Sequence, residues 1–222
     1  MRNIEFANGE FYHIFNRGTD KRTIFEDRDD QQRFIEGIRD FNKEAPIGSL
    51  HEYRIIKKQL GSLASKRVEE KPLVRFIAYC LNPNHFHFLI EQIEDEGIPK
   101  FMHRLSTGYT KYFNKKYRRT GALFSGSYKA VHVDNNEYLL RVSAYVSLND
   151  KVHQIEGKGE IRPLSSWSEY QYPVSKNNIC STSVILEQYN DSKEYLTFAL
   201  EALNDIRENK ERAKELDELR EY

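Results

Sequence analysis

Cysteine is scarce: Cys80 and Cys180 are the only two in 222 residues. Two thiols far apart in the chain give no disulfide framework, and the N-terminal run MRNIEFANGEFYHIF lacks the basic, apolar and small-residue order of a signal peptide. A reducing cytoplasm is therefore the expected compartment. No apolar run approaches the roughly 20 residues that cross a bilayer, which argues against a membrane role. Repeats and low-complexity segments are missing as well.

Net charge is also lacking, with 34 basic and 34 acidic residues. A balanced chain has no overall attraction for phosphate-rich partners. Acids, however, are absent from one whole stretch. Between Gly97 and Val133 there is no Asp or Glu, whereas Lys100, Arg104, Lys111, Lys115, Lys116, Arg118, Arg119 and Lys129 all fall there. A charge run ordinarily marks a solvated helix face. The missing acids, together with the interleaved Tyr109, Tyr112, Phe113, Tyr117 and Phe124, point instead to a surface that binds phosphates and stacks bases.

What is present fits one domain with an extension. Hydrophobic residues make up 39% and charged residues 31%, ordinary for a soluble globular protein. EFYHIFNR alternates as a strand ending at Gly18, and EDRDDQQRFIEGIRDFNKE has helical spacing with acids at its start. Residues 43–72 read as a variable connection. LVRFIAYCL and HFHFLIEQ are two strands split by Asn82, Pro83 and Asn84, the chemistry of a tight turn. PKFMHRLSTGYTKYFNKKY reads as a basic amphipathic helix, SYKAVHV as a strand, and NEYLLRVSAYVSLND as a helix capped by Asp134 or Asn135. This order predicts an α+β, ferredoxin-like fold, an antiparallel sheet with helices packed on one face. Residues 1–172 would form that domain and residues 173–222 a C-terminal helical extension.

His85 and His87 stand two apart in a strand, so both point to one side with Cα atoms about 6.6 Å apart. Such a pair can converge on an ion, or can be two structural histidines on a polar sheet face. In the helix that follows the basic segment, Tyr145 is succeeded four residues later by Asn149, placing a phenol and an amide oxygen one turn apart. Among the tyrosines of the predicted helices, no other has an oxygen ligand at that spacing. Tyr145 could equally be a core aromatic. Joined together, two imidazoles and an amide oxygen suit Mg²⁺ or Mn²⁺, and the phenol suits a nucleophile at a phosphate.

These residues resemble the single-tyrosine, His-hydrophobic-His transposases of bacterial insertion sequences, most closely the branch associated with repetitive extragenic palindromes. The resemblance is carried by GEFYHIFNRGTDKRTIFEDRDDQQRFIEGI, by CLNPNHFHFLIE, by the long run from FMHRLSTGY to VSLND and, more faintly, by SSWSEYQ. It implies that His85, His87 and Asn149 bind Mg²⁺ or Mn²⁺ and that Tyr145 is the nucleophile. It implies further that the protein cuts single-stranded DNA beside hairpins, holds the 5′ end as a phosphotyrosine and keeps a 3′-hydroxyl for rejoining. Asp150 stands where the family commonly has proline, and Ser127 where an arginine is usual. Arg17, Arg104, Lys111, Lys115, Lys116, Arg118, Arg119 and Lys129 are the candidate DNA contacts. Tyr145 could serve the metal site of its own subunit or that of a partner in a homodimer.

Two other functions compete. One is a non-catalytic single-stranded nucleic-acid-binding module, in which a ferredoxin-like sheet binds through aromatics and the tyrosine is a platform; the other is a replication-initiator or relaxase-type nickase using the same chemistry. The set His85, His87, Tyr145 and Asn149 is more than simple binding requires.

Overall fold

A computed structural model describes residues 4–45, 71–155, 161–175 and 177–220, and of 211–220 the backbone alone. Most of the connection expected at 43–72 lies outside the described residues. Strand β1 (Phe11–Arg17) leads through a single 3₁₀ turn into α1 (Arg28–Phe41), whose N-terminal N–H of Asp30 is capped by the Asp27 side chain at 2.9 Å. Strands β2 (Val74–Asn82) and β3 (His85–Gln92) follow, then α2 (Gly97–Lys116), β4 (Lys129–Val133) and α3 (Asn136–Ser147). Asn135 caps α3 by accepting from the N–H of Tyr138 at 2.8 Å.

The sheet runs β4-β1-β3-β2-β5, with β5 the two-residue strand Leu164–Ser165, and every pairing is antiparallel. This is the expected ferredoxin-like order. Asn82 pairs with His85, so Pro83 and Asn84 alone turn the hairpin.

Alternation along the central strands sorts their side chains into two layers. Tyr12, Ile14, Phe86, Phe88 and Ile90 share a core with Phe34 and Ile38 of α1 and Phe101, Leu105 and Tyr109 of α2. Two glycines let these helices approach: a Cβ on Gly108 would lie 2.8 Å from the Phe41 ring, and one on Gly37 would lie 2.9 Å from Leu105. The opposite layer joins Ile77, Ala78, Leu89 and Val133 to α3 and to α7 (Ser192–Arg220). Between α3 and α7 the described residues form three short helices, α4 (Asn149–Val152), α5 (Trp167–Gln171) and α6 (Ser183–Leu186). Thus α1 and α2 cover one face, while α3 and the C-terminal helix cover the other. Among the described residues no helix is long and apolar enough to cross a membrane.

The aromatics of the basic segment are not a stacking platform. Tyr109, Phe113 and Phe124 are buried in the first core, and the hydroxyls of Tyr112 and Tyr117 donate to Asp30 at 3.1 and 2.8 Å. Spaced three and four apart, they form the apolar stripe that seats α2 on the sheet; the same pattern serves packing and stacking, and burial decides between them.

Candidate active site

The register of the sheet assembles the site. Residues directly opposite each other in an antiparallel ladder point to the same face. One such row is Lys129, Phe15, His87 and Cys80; the next is Arg17, His85 and Asn82. Both histidines therefore lie on the face covered by α3, and Arg17 and Lys129 flank them on that face.

Helix α3 delivers Tyr145 to the histidines. Its ring stands edge-on to His87 and to His13, each at 5.8 Å between centroids. The backbone leaves the helix at Leu148 (φ −112°, ψ 17°), and Asn149 opens the next turn, α4. The four-residue spacing survives this break.

At the centre, His85 Nε2 and Asn149 Oδ1 are 3.3 Å apart, and the Asn82 amide nitrogen lies 2.9 Å from the first and 2.8 Å from the second. His85 Nδ1 is 2.6 Å from Asn84 Oδ1. An amide oxygen only accepts, so Nδ1 carries the hydrogen and Nε2 is left with a lone pair. An imidazole lone pair and an amide oxygen thus converge on one point, now held by the hydrogens of Asn82. Both are donors that a divalent cation can use. The buried Asn149 Nδ2 has no partner, so its amide is oriented by the oxygen alone. Among the described residues no group of three or more His, Cys, Asp or Glu side chains could hold a metal; the donors expected from the sequence are two imidazoles and an amide oxygen.

His13 joins the site although sequence spacing assigned it nothing. Its Nε2 lies 2.9 Å from His87 Nδ1, and both rings are buried. Only strand register could reveal it, since the two residues are 74 positions apart. Burial holds His13 and His85 down to a pKa of about 4 and His87 well below its usual value. All three are neutral at pH 7, the state in which imidazole binds metal. Burial also raises the Tyr145 phenol, with the Asn149 amide acting in the opposite direction. The Asp150 carboxyl is likewise raised by burial, and its Oδ1 has no partner.

These neutral histidines make stability depend on acid. Once unfolded, His13 takes up a proton near its ordinary 6.5; folded, it resists down to about 4. Between these values the unfolded chain binds more protons, so stability falls as pH drops from 6.5 toward 4, and the group contributes nothing above 6.5. For His13 the loss is about 2 kcal/mol by about pH 5. Urea denaturation at about pH 7 and about pH 5 measures it. The His13→Gln protein should lose less stability over the same interval, and an equal loss would remove His13 from the account.

The candidate DNA contacts divide. Lys111, Lys115 and Arg118 are exposed along and just beyond α2, on the far side of the sheet from the histidines. Lys116 is engaged with Asp27 at 2.6 Å and Asp30 at 2.8 Å. Arg104 donates to the carbonyls of Lys43 and Glu44, and Arg119 to Asn114. Arg17 and Lys129 are the exposed cations of the set that share the histidine face.

Residues 49–149 match a family described as "Transposase IS200 like", a span that contains both strand histidines, Tyr145 and Asn149. A solved REP-associated tyrosine transposase bound to a REP hairpin aligns over 78% of this chain and 85% of its own, at 11% identity and a TM-score of 0.52. That likeness is one of fold. A Deinococcus radiodurans R1 protein provisionally described as a transposase aligns over 66% of this chain and 95% of its own, at 14% identity and a TM-score of 0.33. A comparison with curated proteins returned no match. The matched span ends at Asn149, in the turn next to the nucleophile candidate.

Proposed function

We propose that the protein is a metal-dependent single-stranded DNA transposase that cuts and rejoins DNA next to hairpins through a 5′-phosphotyrosine on Tyr145. The observation that carries this reading is the convergence of His85 Nε2 and Asn149 Oδ1 on one point beside the Tyr145 phenol. His85, His87 and Asn149 would hold the ion, and the mixed nitrogen and oxygen set suits Mg²⁺ or Mn²⁺. When bound, the ion withdraws charge from the scissile phosphate and aligns it.

Tyr145 Oη loses its proton to solvent and attacks phosphorus. The P–Oη bond forms, the bond to the 3′ oxygen breaks, and that oxygen takes up a proton to become a free 3′-hydroxyl. The 5′ end stays on the protein, and attack of a 3′-hydroxyl on the same phosphorus releases Tyr145 in the rejoining step. Arg17 and Lys129 would grip the flanking backbone, with Lys111, Lys115 and Arg118 contributing a more distant cationic surface. The solved relative bound to a REP hairpin makes hairpin DNA the reasonable substrate class.

The test is incubation of the purified protein with single-stranded hairpin DNA from the flanks of its own gene and Mg²⁺ or Mn²⁺. An SDS-resistant protein–DNA adduct that chelation prevents is expected. Tight binding without adduct under either ion would overturn the proposal.

His13 is a positioning residue in this scheme. For His87 Nε2 to face the ion, His87 Nδ1 must donate to His13 Nε2, so His13 sets which nitrogen is available. His13→Leu should weaken Mn²⁺ binding about ten- to hundredfold, read from the free-ion electron spin resonance signal. His13→Gln, whose amide oxygen can accept the same hydrogen, should recover part of it. Unchanged affinity in the leucine variant would reduce His13 to packing.

A further inference from the structure

The C-terminal helix α7 brings cations to the metal-site end of the transposase domain. Arg207 donates through Nε and Nη2 to the carbonyl oxygen of Lys151, at 3.2 and 2.7 Å, tying α7 to the turn that carries Asn149. One turn of helix later, Lys210 Nζ lies 3.3 Å from His153 Nε2 and 3.4 Å from His153 Nδ1. His153 in turn stands edge-on to His85, 5.7 Å between ring centroids. A chain of contacts therefore runs from the candidate metal ligand to an ammonium on the last helix.

We propose that His153 and Lys210 form a subsite for the phosphodiester next to the scissile one in the bound single strand. Lys210 has three N–H donors, and a ring presented through both nitrogens accepts one at most, so donors remain for a ligand. Partial desolvation lowers the Lys210 pKa, and among the described residues no carboxylate offsets it. Its charge is felt at both His85 and His87. Lys210 and a divalent ion on His85 would together concentrate positive charge, and a phosphate between them relieves that repulsion while accepting a charge-assisted hydrogen bond from Lys210. A neighbouring phosphate held there would fix the path of the strand across the nucleophile, giving the C-terminal helix a direct part in substrate binding. Both groups are exposed, so a strand can reach them.

This inference rests on the strand-transfer reading, and its test separates the two. Affinity for a fluorescein-labelled single-stranded hairpin DNA is measured over a range of salt for the wild type, Lys210→Ala, Lys210→Arg and Lys193→Ala. Lys193 is an exposed cation at the opposite end of the same helix. Lys210→Ala should bind roughly tenfold more weakly at low salt, and its slope of log affinity against log salt should shrink by about 0.7, the value of one lost phosphate contact on a single strand. Lys210→Arg should restore both, and Lys193→Ala should match the wild type. Wild-type affinity and slope in Lys210→Ala, or an equal loss in Lys193→Ala, would overturn the subsite. Adduct formation by the wild type on the same DNA is scored separately. Its absence retires the strand-transfer reading, whereas the salt slopes alone judge the subsite.

Discussion

Tyr145→Phe should abolish the SDS-resistant adduct while leaving hairpin-DNA affinity within about threefold of the wild type. The substitution removes one oxygen and keeps the ring, whose edge-on packing against His13 and His87 needs no hydroxyl. The phenol is half-buried and the Asn149 amide has its own bond from Asn82, so the fold loses little. Without the oxygen no phosphotyrosine can form, and Asn149 is not a nucleophile. Adduct yield on denaturing gels and anisotropy binding curves separate the two effects. An adduct that persists in this variant would move the nucleophile to another residue. A collapse of DNA binding would make Tyr145 a structural group.

The second large effect is expected at the ion. His85→Ala removes the nitrogen lone pair that faces Asn149 Oδ1, and should cost at least about a hundredfold in Mn²⁺ affinity and in the single-turnover rate of adduct formation. Asn149→Ala should cost less, because an amide oxygen is the weaker donor and its loss also frees the Asn82 amide to turn toward His85. Asn149→Asp keeps an oxygen and adds a negative charge, so it should bind Mn²⁺ at least as well as the wild type. Binding measured without DNA makes the result independent of the chemistry. Equal Mn²⁺ affinity in the wild type and His85→Ala would leave the histidines as structural residues and require another way to stabilise the scissile phosphate.

Elements whose identity depends on near neighbours were legible before any coordinates. The alternation of Tyr12, Ile14 and Phe88 marks strands because successive residues face opposite sides. The Asn82–Asn84 turn marks a hairpin because two residues suffice to reverse the chain. Tyr145 and Asn149 were found because four residues make about one helical turn, and that spacing survived even the break at Leu148. The aromatics of the basic helix misled for a related reason. A stripe at helical spacing is the same whether it faces solvent or a sheet, and only the sheet against α2 decided that Tyr109 and Phe113 are core.

The sequence by itself determined the fold class, the two histidines on one side of a strand and the phenol one turn from an amide, because each of these follows from the period of a single element. Tertiary structure alone decided the rest. Strand pairing set His13 against His87 and lined Arg17 and Lys129 beside the pair. The Asn84 and Asn82 amides fixed which nitrogen of His85 keeps its lone pair, and packing of α7 on α3 carried Lys210 to His153. The physical reason is distance along the chain: contacts between elements depend on register and on which face is buried, and neither quantity is written in the local spacing of residues.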